Sequence, residues 1–162
     1  MLILVEGADG SGKSYLVNQL YEKGFAIQKV QLHQNFDFRC AANHCCYADI
    51  NLVEDRSPIT DIVYRIFDEQ KPDRTENIDS ILEWVRRFGV KIIYCKTKNS
   101  YTDSIRRGEE NITSFQDHCE ISKIYDIVMA IIKRDYPLAV LEYDHSKQNI
   151  NDVLKFINTQ GE

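Results

Sequence analysis

Eight residues near the N-terminus carry the strongest chemical signal: Gly7-Ala8-Asp9-Gly10-Ser11-Gly12-Lys13-Ser14. Their spacing, G-x-x-x-x-G-K-[ST], is that of a loop built to hold phosphate. Glycines let such a loop curl until successive backbone N–H groups converge on anionic oxygens. A helix opening at Lys13 adds the positive end of its dipole. Lys13 is then expected to reach the β- and γ-phosphates of a nucleoside triphosphate, and the Ser14 hydroxyl to ligate Mg²⁺. All eight residues are expected to line an ATP site.

A Mg²⁺ ion in such a loop calls for a carboxylate on a neighbouring strand. Asp55 is the candidate, because it closes the apolar run Ile50-Asn51-Leu52-Val53 with Glu54 beside it. Arg56 follows directly, and a guanidinium there suits a bidentate phosphate contact. Other constellations carry less. Cys40, His44, Cys45 and Cys46 lie close together, but adjacent Cys45-Cys46 does not fit zinc-ligand spacing, so they read as thiols. Tyr64 and Phe67 share a helix after Asp55, where they could border an acceptor base or simply pack that helix. Phe36, Phe38 and Tyr47 could stack on a base, with core packing the ordinary role for each. Lys96-Thr97-Lys98 reads as a solvated loop.

The elements that must position these residues follow from periodicity. Leu2 to Glu6 is a buried strand ending at Gly7, and Lys13 to Glu22 has the spacing of a helix ended by Gly24. Strands are expected over 25–32, 50–53, 90–95 and 138–141. Helices are expected from Pro58 through Phe67, over 78–88, over 100–107, from Ser114 to about Lys133, and around Ile150 to Ile157. Residues 33–48 have no clean period, and Gly108 to Thr113 reads as polar loop. Strands separated by helices imply parallel crossovers. The expectation is a three-layer α/β/α sandwich, with about five parallel strands in one domain over 1–162.

The 162 residues, 43% hydrophobic and 28% charged, can bury a core without disulfides or a structural metal. A net charge of -5 argues against tight non-specific nucleic-acid binding, while leaving room for a local basic cleft. No run approaches a membrane span, and Leu2 to Val5 is too short for a signal peptide. Five cysteines without framework spacing point to reduced thiols and a cytoplasmic setting.

The run Leu4-Val5-Glu6-Gly7-Ala8-Asp9-Gly10-Ser11-Gly12-Lys13-Ser14 resembles the thymidylate kinase signature, an acid-containing phosphate loop after a strand ending in Glu-Gly. Asp55-Arg56-Ser57 resembles the Asp-Arg motif of those enzymes and the Glu/Asp-Arg-Ser motif of deoxynucleoside kinases. Ile92-Ile93-Tyr94-Cys95 and the helix ending in Arg106-Arg107 are similar to the family's fourth strand and the approach to its LID. The resemblance implies the P-loop nucleoside triphosphate hydrolase fold, with a short LID near 106–114. It implies that Asp9 meets the acceptor sugar's 3′-hydroxyl, that Asp55 serves Mg²⁺ or the acceptor, and that Arg56 binds phosphates. Arg106 or Arg107 would cover the transferring phosphoryl group.

Two departures bear on the acceptor. Thymidylate kinases carry an arginine after the second strand and deoxynucleoside kinases a glutamate, but here the strand runs into His33-Gln34-Asn35. Arg39 and Arg56 are left to clamp an acceptor phosphate, with Tyr64 beside them. The expected activity is Mg²⁺-ATP-dependent phosphoryl transfer to a deoxynucleoside monophosphate. The alternatives are a deoxynucleoside kinase, a kinase of a hydroxylated base in DNA, and a nucleotide-binding regulatory protein without transfer. A homodimer is compatible with each.

Overall fold

Five short apolar runs become five parallel strands, and helices on both faces cover them. The structure is a computed structural model that describes residues 1–29, 50–68, 78–98, 100–107 and 114–159, with only the backbone of Arg107. The strands are β1 (Leu2–Glu6), β2 (Ala26–Lys29), β3 (Leu52–Asp55), β4 (Lys91–Cys95) and β5 (Val140–Tyr143). They pair in the order β2-β3-β1-β4-β5, every pair parallel. The helices are α1 (Lys13–Glu22), α2 (Pro58–Phe67), α3 (Ile78–Phe88), α4 (Ser100–Arg107), α5 (Phe115–Asp135) and α6 (Ile150–Asn158).

The pleat of β1 divides the core. Ile3 and Val5 point to the layer of α1 and α6, where they meet Leu16, Leu20, Val53, Ile93, Val153 and Ile157. Leu2 and Leu4 point to the layer of α2, α3 and α5, among Ile59, Val63, Trp84, Tyr125 and Val128. Both faces of β1 and β4 are covered, which is why those strands read as continuous apolar runs and not as alternation. From β1 the sheet extends through β3 to β2 on one side and through β4 to β5 on the other. The loop after β1 therefore lies at the switch point, at the C-terminal ends of the strands, where open α/β sheets form their crevice.

Local chemistry sets the helix starts. Ser57 Oγ accepts from Ile59 N at 3.1 Å with Pro58 opening α2. Ser114 Oγ accepts from Asp117 N at 3.1 Å at the start of α5, and Asn149 with Asp152 forms a capping box on α6.

The three-layer parallel architecture matches the sequence expectation, and the bounds of β3, β5 and α5 move. β3 runs on through Glu54 and Asp55, which pair in register with Leu4 and Val5 of β1, so the acids are part of the strand and not its terminator. β5 begins at Val140, because Ala139 N bonds Tyr136 O at 3.0 Å and holds the residues around Pro137 in a turn. α5 runs to Asp135, two residues past the expected end. Residues 30–32, 33–48 and 108–113 lie outside the described residues, as does the cluster Cys40, His44, Cys45 and Cys46. Among the described residues no helix is long and apolar enough to cross a membrane.

Two carboxyls, Glu6 and Glu54, are buried in the α2/α5 layer. Thr60 Oγ1 donates to Glu6 Oε2 at 2.6 Å and takes the Tyr125 hydroxyl proton across 3.0 Å, forming a chain from Tyr125 through Thr60 to Glu6. Glu54, fully buried, has no hydrogen-bond partner among the described residues. Burial pushes Glu6 up to about 7, against hydrogen bonds from Ser57 and Thr60, and pushes Glu54 up to about 8, with repulsion from Glu6 adding to it. Unfolded, both acids ionise near the ordinary glutamate value; folded, they hold their protons to higher pH. Their effect on stability is therefore unfavourable and grows as pH rises. The urea midpoint should fall steadily between about pH 5 and pH 8, and Glu54→Gln should flatten that slope. A midpoint that rises over the same range, or a slope unaltered in Glu54→Gln, would contradict the burial argument.

Candidate active site

The loop between β1 and α1 is shaped by three glycines at positive φ, Gly7, Gly10 and Gly12, and by a lysine that turns back on it. Gly10 has φ +74, and a Cβ there would lie 1.8 Å from the Ser100 carbonyl oxygen, so only glycine fits under α4. Gly12, φ +94, precedes α1, and a Cβ on it would lie 2.9 Å from His145 Nδ1. The Lys13 ammonium donates to the Gly7 carbonyl at 2.7 Å and the Ala8 carbonyl at 2.8 Å. Ser11 N donates to the Ala8 carbonyl at 3.2 Å. Ser14 is exposed on the first turn of α1, whereas the Ser11 hydroxyl is buried without a partner among the described residues.

The parallel register delivers the second half of the site. Asp55 pairs with Val5, so the chain leaving β3 emerges beside the chain leaving β1. Asp9, Gly10, Gly12, Lys13, Ser14, Asp55 and Arg56 line one cleft. Arg56 Nη2 reaches Asp9 Oδ1 at 2.6 Å, the Lys13 ammonium lies 3.8 Å from the same oxygen, and the Tyr64 hydroxyl lies 3.5 Å from Asp9 Oδ2. Asp9 is 3% exposed, so this is a buried carboxylate between two cations.

Each cation feels the others. Burial, then the neighbouring Arg56 guanidinium, pushes the Lys13 ammonium below the ordinary lysine value. Burial works against the Arg56 charge, but Asp9, aided by Tyr64 and Tyr125, outweighs it and raises the guanidinium further. Tyr64 is pushed up to about 12, by burial first and by Asp9 second, so its hydroxyl is a donor at neutral pH. Arg56 holds this position with φ +73, the single non-glycine residue at positive φ among the described residues. That backbone conformation is costly for a side chain and clusters at functional sites.

The structure thus brings together Asp9, Lys13, Ser14, Asp55, Arg56 and Tyr64, as the sequence suggested. Arg106 is elsewhere: it is 76% exposed, its Nη1 lies 3.9 Å from Asp103 Oδ1, and it does not line the cleft. The Arg107 side chain and Arg39 lie outside the described residues. Phe67 packs against the core layer of α2 and α5, its ordinary role. Sequence reasoning missed two histidines. His145, in the loop after β5, lies against Gly12 and tilts over Tyr15 with ring centroids 6.1 Å apart. His118 of α5 bonds the Asp9 carbonyl at 3.1 Å. Its one sequence signal is its place three residues before Ile121, a polar residue on the apolar stripe of α5.

With this geometry in place, similarity to solved structures becomes informative. No protein-family profile and no curated protein sequence matches the chain. A crystal structure of YorR from Bacillus subtilis, in complex with phosphorylated GDP, matches with TM-score 0.64 and 20% identity over 97% of this chain and 93% of that one. Deoxyadenosine kinase from M. mycoides, with the products dCMP and a flexible dCDP bound, matches with TM-score 0.60 and 18% identity over 97% and 96% of the two chains. The same kinase with dATP matches at 0.57 and 15%. The chain has the fold of these proteins. At such identities that likeness is one of fold.

The cleft residues fit a nucleoside triphosphate and Mg²⁺. The buried, partnerless Ser11 hydroxyl and an ammonium resting on loop carbonyls are both donors inside a ring suited to anionic oxygens. The Ser14 hydroxyl and Asp55 carboxylate supply hard oxygen ligands on the same cleft. No group of three or more His, Cys, Asp or Glu forms a metal site among the described residues. One carboxylate and one hydroxyl suit Mg²⁺, which keeps waters and substrate phosphates as its other ligands.

The Arg56 backbone yields a test that needs no substrate. Arg56→Ala loses the Asp9 pair and keeps the left-handed strain, whereas Arg56→Gly loses the pair and relieves it. Arg56→Gly should therefore unfold at higher urea than Arg56→Ala, by about 0.5–1 kcal/mol. Equal stabilities would show that the position is not strained.

Proposed function

We propose that the chain is a Mg²⁺- and ATP-dependent phosphotransferase whose acceptor is a deoxynucleoside monophosphate. The observation that carries this reading is the convergence of Asp9, Lys13, Ser14, Asp55 and Arg56 on one cleft at the switch point of the sheet. The loop amides and Lys13 would bind the β- and γ-phosphates of the donor, and Ser14 with Asp55 would hold Mg²⁺. When bound, Mg²⁺ supplies neutralisation of charge on the phosphate oxygens. Arg56 would align the transferring group with the acceptor oxygen, and Arg106 and Arg107 would meet that group in the nucleotide-bound enzyme. Catalysis would then come from position and electrostatics, with no covalent intermediate.

The choice of acceptor follows from what the acids do. A phosphate oxygen is already ionised at neutral pH and needs no base. A hydroxyl acceptor needs one, and Asp9 is held by Arg56. A nucleoside acceptor is the second reading, favoured by the fold shared with deoxyadenosine kinase and served by Asp55 as base. ATP consumption measured against deoxynucleoside monophosphates, deoxynucleosides and DNA separates the readings. Turnover with monophosphates alone supports the first, turnover with deoxynucleosides alone the second, and hydrolysis without transfer a regulatory protein.

Lys13→Ala should remain folded and lose transfer by about 10²–10³-fold or more, since a donor aimed at transition-state charge is worth that much. Near-normal turnover in the purified variant would remove the phosphate-loop assignment. Replacing Arg106 and Arg107 together should lower kcat much more than it weakens ATP binding. Unchanged kcat would mark them as surface charge.

A further inference from the structure

We propose that His118 is a positioning residue for the phosphate loop. The Nε2–H of His118 donates to the Asp9 carbonyl and fixes the Asp9–Gly10 peptide, and with it the loop's grip on nucleotide. The inference rests on the phosphate-loop reading above and extends it to a residue outside the loop and outside the cleft.

Four observations carry it. The Nε2 to Asp9 O distance is 3.1 Å, and the ring is 4% exposed, so no solvent stands in for the bond. A carbonyl can only accept, so Nε2 must bear the proton, and the tautomer is fixed by the partner. The ring cannot drift from its place: Tyr101 of α4 packs edge-on against it at 5.7 Å, and Tyr101 also meets Phe115 edge-on at 5.2 Å. On the next residue of the loop, Gly10 lies so close to Ser100 that no Cβ fits. The Asp9–Gly10 peptide is thus held on one side by a hydrogen bond from α5 and on the other by contact with α4.

The consequences run through Asp9. Its carbonyl fixes the peptide plane that leads into Gly10, and its carboxylate pairs with Arg56 at 2.6 Å. Lys13 steadies the Gly7 and Ala8 carbonyls but is expected to leave them for phosphate, whereas His118 bonds a backbone carbonyl, an acceptor that a phosphate oxygen does not replace. It is the anchor that stays in place when the site fills.

The test compares His118→Leu, which removes the donor, with His118→Gln, which restores an N–H donor near the Nε2 position. Mg²⁺·ATP is the probe, with affinity read by calorimetry and stability by thermal unfolding. His118→Leu should bind about tenfold more weakly, the worth of one buried hydrogen bond. His118→Gln should return to within about twofold of wild type. Equal affinity in wild type and His118→Leu would overturn the inference alone. Equally weak binding in both variants, tracking a loss of stability, would show a packing role and overturn it too. Absence of ATP binding by wild type would overturn the phosphate-loop reading and this inference with it. Nitrogen NMR of the wild-type ring decides without any variant: a proton on Nε2 is expected, and a neutral ring protonated on Nδ1 alone would refute the bond.

Discussion

The Asp9–Arg56 pair joins the two strand ends that make the site. Asp9 belongs to the loop after β1 and Arg56 to the first residue beyond β3, so one 2.6 Å contact crosses the crevice at the switch point of the sheet. A pair so deeply placed is not a device for stability. Removing two charges from water costs several kcal/mol per ion, and the attraction between them repays that only with good geometry and further hydrogen bonds. Lys13 and Tyr64 supply part of that compensation from the other two sides of Asp9. Arg56 also carries a left-handed backbone. An arrangement that adds conformational strain to desolvation makes sense where anionic oxygens are to be met by a preset cation.

The pleat separates two uses of buried acid. Glu54 and Asp55 are neighbours on β3, yet they point to opposite layers. Asp55 faces the cleft beside Lys13 and Ser14. Glu54 faces the α2/α5 layer, with Glu6 as its electrostatic neighbour and no hydrogen-bond partner among the described residues. A one-residue slip of β3 would exchange these roles and take the carboxylate out of the site. The register with β1, Leu4 to Glu54 and Val5 to Asp55, is therefore as much a part of the site as any side chain.

Much of this was legible in the chain. The phosphate loop, its strand and its helix were readable because glycine spacing and apolar periodicity agree there: β1 and α1 have the expected bounds. Asp55 and Arg56 were readable from their place after an apolar run. The end of β3 was not, because Glu54 and Asp55 look like a strand terminator, and only the pairing with β1 keeps them in the sheet. His118 and His145 were hidden for another reason. Each lies far from the loop in sequence, and nothing local to residue 118 or 145 says which carbonyl or glycine it will meet. Arg106, whose residue type drew attention in the sequence, lies exposed beside Asp103 and outside the cleft.

The position of Lys13 shows how the loop compensates for a buried cation. Burying an ammonium is costly unless acceptors replace water, and the Gly7 and Ala8 carbonyls do so at 2.7 and 2.8 Å. Phosphate oxygens would offer the same ammonium stronger, charged acceptors, so the exchange needs no new desolvation of Lys13. The loop would not collapse as the ammonium leaves, because the Ala8 carbonyl keeps Ser11 N and the Asp9 carbonyl keeps His118. The Gly7 carbonyl, which Lys13 also holds, lies at the end of β1, where the sheet already fixes the chain. The loop backbone is therefore held by contacts from Ser11 and His118 as well as by those of Lys13.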